Sequence, residues 1–513
     1  MPGKTGFLGF SGIAGVERQS VSCPAMTRPS RVNLFAACLS GAALWTGGAY
    51  AAGAPDHRLI DAARRQDRAL VRTLLKTRTA DVNMRQPDGA TALLWAAQWD
   101  DTATADLLIA AGADVKAVND FGISPLHMAA TNGSAAMIAR LLKAGADANA
   151  AVPTGETALM SAALTGRPDA VSALVNAGAD VNAHESAKGQ TALMWAISAG
   201  HREVTRLLIG AGADVKAKSS AGFTPLTFAA RLDDAETIGL LLDKGADLNA
   251  EATDGTTTLQ VAALRGHVDL VKHLLDKGAN PNAAKAGYTV LHWVVGNWDN
   301  ATSISFGREG DELKLMGGIP QTRKLELMQA LLEHGADVNA VVTKSPPLGR
   351  LGPTATAGTI IGGGPLTGAT PFFLAALAGD VDAMRFLVAN GADPIRPAKD
   401  GTTPVMAAAG TTGFYDLEGN VPESSHLAAV RLAVELGGDV NAVNALGNTP
   451  LHLATHGGFD SVVKYLAVQG AAVNIKNKAG ETPLRIADGV IVIMMLYTHP
   501  TTAVILRELG GTH

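Results

Sequence analysis

A glycine, one variable residue and then Thr or Ser recur eleven times along this chain, at Gly89, Gly122, Gly155, Gly189, Gly222, Gly255, Gly287, Gly368, Gly401, Gly447 and Gly480. The spacings are 33, 33, 34, 33, 33, 32, 81, 33, 46 and 33 residues. A fixed period of this length marks a supersecondary unit that cannot bury its own apolar face and gains a core by stacking on its neighbours. No feature of the chain constrains its fold more tightly.

Residues 120–153 show one full unit. Ser124 is placed to cap a helix by accepting a free backbone N–H, and Pro125 follows at the first helical position, where no donor is lost. All eleven phrases keep Thr or Ser at this cap, and Pro follows six of them. Leu126 and the Ala129-Ala130 pair give a short first helix its buried face, and Gly133 ends that helix. Ile138, Leu141 and Leu142 place an apolar stripe on a second helix. Gly145 stops it, and Asp147 to Asn149 opens a turn-rich finger towards the next unit. The stop recurs as G-A-D or G-A-N at Gly112, Gly178, Gly212, Gly245, Gly278, Gly335 and Gly391, with G-G-D at Gly437 and G-A-A at Gly470.

This T-P-L-H and G-A-D chemistry resembles the ankyrin repeat family over most of residues 57–487. The resemblance implies an all-α solenoid of about twelve helix–turn–helix units with short β-hairpin fingers. Leu59 to Asn83 lacks the cap phrase and carries Arg64, Arg65, Asp67 and Arg68, as a capping unit with a polar outer face should. At the other end, Gly489 to Tyr497 (GVIVIMMLY) is too short to cross a bilayer. It reads as the second-helix region of the last unit, followed by a closing helix through Leu506.

The N-terminus belongs to another physical class. Met26 to Arg31 is a basic lead, Val32 to Trp45 is an apolar run of fourteen, and Ala49-Tyr50-Ala51 is a small-x-small cleavage motif. That pattern predicts a secretory signal peptide over 26–51, cut near Ala51, and a mature protein in the periplasm or secreted, in the style of a bacterial cell envelope. Residues 1–25 carry none of this logic and read as a gene-model extension. An uncut anchor and a lipoprotein built on Cys38 are the competing readings. Cys23 and Cys38, the two cysteines of the chain, both precede the cut, so the mature protein is expected to have no disulfide and no thiol chemistry.

The whole chain holds 42 Lys plus Arg and 47 Asp plus Glu; setting aside Lys4, Arg18, Arg28, Arg31 and Glu17 leaves 38 against 46. A net negative solenoid argues against nucleic acid as the partner, which calls for a basic stripe.

In regular units the buried Leu precedes the G-A-D glycine by nineteen residues, as from Leu126 to Gly145. From Leu291 to Gly335 the separation is 44, and from Val405 to Gly437 it is 32. A third excess lies in the finger between Gly335 and Gly368. The organisation expected is therefore a capping repeat at 52–84 and regular repeats at 85–286. Repeats with insertions near 297–320, 343–366 and 411–424 follow at 287–446, and repeats with a C-terminal cap at 447–513. Insertions in repeat proteins form loops and often carry binding. Their clustering on three adjacent units favours an elaborated surface over neutral drift, although long loops cost little.

Motifs of known reaction centres are absent: there is no Walker loop, H-E-x-x-H, G-x-S-x-G or C-x-x-C. His452 and His456 stand four apart, but His452 is the histidine of the T-P-L-H phrase, which in the resembled family braces the finger. Asp299, Glu309, Asp311 and Glu312 read as a solvated acidic loop rather than a cation site, and Gly362 to Gly364 as a flexible turn. No metal and no cofactor are expected.

Aromatic residues make up 4% of the chain, so their positions are informative. The resemblance places the exposed concave slots at the two residues before each glycine, the one after it, and the two after the Ala pair. Those slots hold Trp99, Phe121, Phe223 and Tyr288, with Trp298 just inside the first insertion. These five are the candidate contacts, whereas Trp95, Trp195 and Trp293 follow the buried Leu by two and read as packing residues. The function expected is a monomeric, non-enzymatic scaffold that holds a protein partner in the concave groove and the insertion loops. The alternative is an enzyme or small-ligand binder built from the insertions of 297–424, supported by the acidic loop and Phe414-Tyr415-Asp416.

Overall fold

The computed structural model describes residues 56–296, 321–344, 366–410, 421–492 and 495–513. Asp299, Glu309, Asp311, Glu312, Gly362 to Gly364, Phe414-Tyr415-Asp416, Trp298 and the proposed signal segment lie outside the described residues. Among the described residues of His57–His513, twenty-four helices pair into twelve helix–turn–helix units. Unit 1 is Arg58–Arg64 with Arg68–Thr77, and unit 12 is Pro483–Asp488 with Pro500–Glu508. First helices stack on first helices and second helices on second helices along the series. This is the all-α solenoid that the period predicts.

The caps work as the phrase suggests. Ten of the eleven Thr or Ser hydroxyls accept a backbone N–H three residues on, from Thr91 with Leu94 to Thr482 with Arg485. Each is worth about 1 kcal/mol. Thr289 is joined to His292, its hydroxyl lying 2.8 Å from His292 Nδ1 and its N–H donating to the same nitrogen at 3.1 Å, as Thr449 is to His452.

Gly222 shows why the phrase begins with glycine. Its φ is +83°, and a Cβ there would stand 2.6 Å from the Thr253 nitrogen of the next finger. That closeness lets Thr253 N–H donate to Ala221 O at 3.0 Å. Equivalent finger-to-finger bonds join Asp120 N–H to Asp88 O and Ser186 N–H to Thr154 O. At the next finger after Gly122 the donor would be Pro153, which has no N–H.

A second inter-unit ladder runs through asparagine. Asn182 Nδ2 donates to Gly212 O at 3.1 Å, and its Oδ1 accepts from Asp214 N–H at 2.7 Å. Asn83, Asn149, Asn249, Asn282, Asn339, Asn441 and Asn474 make the same pair of bonds to the unit that follows. In three units the slot, four residues after the stop glycine, holds Lys116, Lys216 or Ile395 instead. Lys216→Asn should install the bridge to Gly245 O and stabilise the protein by about 1 kcal/mol. Thermal melts of K216N and N182A should move in opposite directions; a neutral N182A would show the ladder to be decorative.

The frame passes through the insertions nearly unchanged. Asn282 reaches Gly335 O at 2.7 Å across 53 residues, where Asn149 reaches Gly178 across 29. Thr343 N–H donates to Gly287 O at 2.8 Å, closing the finger ladder over unit 8. The groups that flank the extra residues thus stay close to the repeat frame, the finger acceptor here being Gly287 O itself rather than the carbonyl before it.

The C-terminal unit corrects an expectation. Val490–Val492 and Met495–Tyr497 do not continue a helix; they pair as an antiparallel two-stranded ribbon, Val490 opposite Tyr497. The second helix of unit 12 is the one that follows, Pro500–Glu508. Its stop is Gly510, whose carbonyl accepts from Asn474 at 3.1 Å like every other stop in the ladder. The run is rich in β-branched residues, which favour a strand over a helix when flanked by a turn.

Candidate protein-binding face

The two long faces of the solenoid differ in how they are satisfied. On the second helices, ion pairs cross from unit to unit: Arg68 with Asp101, Arg140 with Asp106, Arg206 with Glu236, Arg323 with Asp269, Lys272 with Glu326 and Lys324 with Asp380. Lys324 and Asp380 meet at 2.8 Å with both side chains only 10% exposed. At Asp101 burial alone would raise the carboxyl, but bonds from Arg68 and Thr104 outweigh it and hold the group below its ordinary value. Asp234 is held down in the same way by Arg202 and Thr237. Glu326, bonded by Arg323 and Lys272, is lowered to about 2.

The finger and first-helix side carries the exposed aromatic surface. Among the described residues the large exposed aromatics are Trp99, 46% exposed, and Phe121, 52% exposed. Trp99 ends the first helix of unit 2, Ala92–Gln98. Its ring stacks on Trp95 with centroids 6.4 Å apart and planes 22° apart. Trp95 is itself buried, donates Nε1–H to Gln86 Oε1 at 2.9 Å, and carries the Arg64 guanidinium 5.6 Å from its ring centre. Phe121 stands on the finger of unit 3, where Asn119 Oδ1 accepts the N–H groups of Phe121 and Ile123 and holds the turn shut.

Tyr288 is a correction. It was expected to be exposed, but it is 8% exposed and packs edge-on against Trp293, with centroids 5.1 Å apart and planes at 83°. Burial, with a contribution from Asp254, pushes its hydroxyl up to about 12. The slot after the glycine is inward-facing in general: Ile123 there is 7% exposed and Ala90 is fully buried. Phe223 shares that slot and is half-buried. Trp95 and Trp293 are buried and Trp195 is half-buried.

The four described candidates therefore do not form one patch. Trp99 and Phe121 stand on adjacent units, while Phe223 belongs to unit 6 and Tyr288 to unit 8. At about 8–10 Å per packed helix, unit 6 is some 30 Å from unit 3. The search for aromatics also missed aliphatic residues in the same slots. Val443 and Leu446 of unit 11, 53% and 45% exposed, occupy the finger positions of Val118 and Phe121. Leu232, 42% exposed, occupies the position of Trp99 in unit 6. Slot identity, rather than residue class, would have found them.

His452 is a brace. Its Nδ1 lies 2.8 Å from the Thr449 hydroxyl and its Nε2 3.1 Å from Glu481 O of the next finger. Both ring nitrogens are thus engaged, and His127 and His292 make equivalent contacts. No group of three or more His, Cys, Asp or Glu among the described residues is placed to hold a metal ion. No helix among them is long and apolar enough to cross a membrane.

The repeat frame, its caps and its ladders agree with the comparisons to known proteins. A family model described as ankyrin repeats (3 copies) matches residues 59–152, 100–185, 183–252, 226–304 and 422–495, and an ankyrin repeat model matches 367–399. Those matches cover more than half of the chain, which belongs to the ankyrin repeat family. Ankyrin repeat and SOCS box protein 16 of Mus musculus is 32% identical over 115 residues, 22% of this chain and 24% of that protein. Alpha-latrocrustotoxin-Lt1a of Latrodectus tredecimguttatus is 33% identical over 118 residues, 23% of this chain and 7% of the toxin. The matches thus span about a quarter or less of these relatives. Ankyrin repeats are in general protein–protein interaction modules.

Proposed function

We propose that this chain is a non-enzymatic scaffold that holds a protein partner against its finger and first-helix face, with Trp99 and Phe121 as principal anchors. One observation carries the reading. Ion pairs link the second helices from unit to unit, whereas the finger and first-helix side leaves two large aromatic rings in solvent. Exposed aromatics of this kind are over-represented among binding hot spots. Phe223 and the aliphatic pair Val443 and Leu446 extend the contact, and the insertions of units 8–10 add to it. Export through residues 26–51, with cleavage near Ala51, accounts for the basic lead and apolar run; intact mass of the mature protein starting at Ala52 tests it.

The binding test is capture of a partner by the full chain, repeated with Trp99→Ala and Phe121→Ala. Each substitution should weaken binding by about 2 kcal/mol or more, roughly thirtyfold. The melting temperature should not move, because neither ring lies in the core. Undiminished capture by both variants rejects this face.

A further inference from the structure

Two features of units 2 and 3 narrow the chemistry of what that face takes; the argument rests on the protein-binding reading above. First, each exposed ring has a carboxylate as its sequence neighbour. Asp100 follows Trp99 and Asp120 precedes Phe121; both are exposed, and neither forms an ion pair among the described residues. Arg68 is already bonded to Asp101 at 2.9 Å, and Arg85 donates to Val118 O at 3.1 Å. Second, the chain twice lays its own guanidinium over a ring on this face: Arg64 over Trp95 at 5.6 Å, and Arg231 over Phe228 at 5.5 Å. Trp99 is the outer member of the Trp95 stack, and its ring is exposed.

We propose that Trp99 with Asp100 and Phe121 with Asp120 form a receptor for a basic, extended segment of the partner protein. Its Arg or Lys side chains lie over the two rings and pair with the two carboxylates. A cation over an aromatic face is attracted by the ring quadrupole, and a neighbouring carboxylate supplies the counter-charge. Trp99 ends the seven-residue helix Ala92–Gln98, and Asp120 N–H donates to Asp88 O ahead of that helix, so the two sites are at least the helix length of about 10 Å apart. An extended chain covers that in about three or four residues, which sets the minimum spacing of the two cations. Arg64 and Arg65 border the site on unit 1 and give the segment a direction, since its basic end avoids them.

The test uses the full chain and three fluorescently labelled twelve-residue peptides with Arg, Gln or Glu at every third position and Gly and Ser between. The Arg peptide should bind, the Gln peptide at least about fivefold more weakly, and the Glu peptide not measurably. Raising salt should weaken the Arg peptide. Trp99→Ala and the double variant Asp100→Asn/Asp120→Asn should each cost about fivefold or more. Asn suits position 100, whose φ is +53°, because it tolerates the left-handed region; melts should confirm an unchanged fold. Asp254→Asn, on the distant finger of unit 7, should leave binding unchanged and so exclude bulk charge. Equal binding of the Arg and Gln peptides, or parent-like binding by the double variant, overturns the inference. Capture of the partner separates the two readings: if Trp99→Ala loses it while the double Asn variant keeps it, the face stands and the basic segment falls. If neither variant loses it, both fall.

Discussion

Lowering the pH from 7 to about 5 should destabilise this protein by several kcal/mol, while most of its carboxylates are still ionised. Burial pushes His292 and His456 down to about 4, and it also lowers His127, His452 and His499. In the unfolded chain each returns to its ordinary value of about 6.5. A folded value below the unfolded one means that the unfolded state binds the proton first. The stabilisation is therefore complete above about pH 6.5 and is lost as pH falls towards 4. For a shift of that size the loss is about 3 kcal/mol per histidine. Asp101 and Asp234, whose carboxyls are lowered, act in a separate window, losing their contribution only at still lower pH. The chain itself supplies the control. In unit 7 the slot of His292 holds Gln260, which accepts from Thr257 N–H at 2.9 Å and donates to Tyr288 O at 3.0 Å. His292→Gln should keep the brace at pH 7 and remove its share of the acid slope in urea unfolding. A stability profile flat from pH 7 to 5 would refute the assignment.

Phe372→Ala should cost about 3–5 kcal/mol through the cavity it leaves. Phe372 is fully buried on the first helix of unit 9, Pro371–Leu377, between the insertions of units 8 and 10. Because stability in stacked repeats is a sum of unit and interface terms, the loss should weaken units 8–10 together. Denaturant unfolding followed by hydrogen exchange on those units would measure it. A cost under about 1 kcal/mol would mean that unit 9 is not stacked on its neighbours. Trp99→Ala, by contrast, leaves no enclosed cavity and should change the melt little.

Much of this architecture was readable because it is written locally and repeated. Ser124, Pro125, Leu126 and Gly133 each act within a few residues of themselves, so their types announce cap, first turn, core face and stop. The insertions were legible for the same reason: Leu291 to Gly335 breaks a nineteen-residue rule that nearby units obey. Unit 12 was harder. Its apolar run from Val490 to Tyr497 suits a buried helix or a strand equally by periodicity. The ribbon became visible only through strand pairing.

The binding face was legible in part. Trp99 and Phe121 stand exposed in slots marked by the repeat, but Tyr288 does not. Exposure is decided by what packs against a side chain, and for Tyr288 that is Trp293 on the following helix. That contact lies within one unit, whereas the Asn182 ladder, the Arg64 guanidinium over Trp95 and the pairing of Lys324 with Asp380 join residues about 30 to 56 positions apart. The amino-acid sequence by itself determined the unit, its register and its number, because those follow from short-range hydrogen bonds and helical periodicity. Only the tertiary structure decided which rings meet solvent and which charges stay unpaired, because those depend on how side chains pack between elements, within a unit and across units.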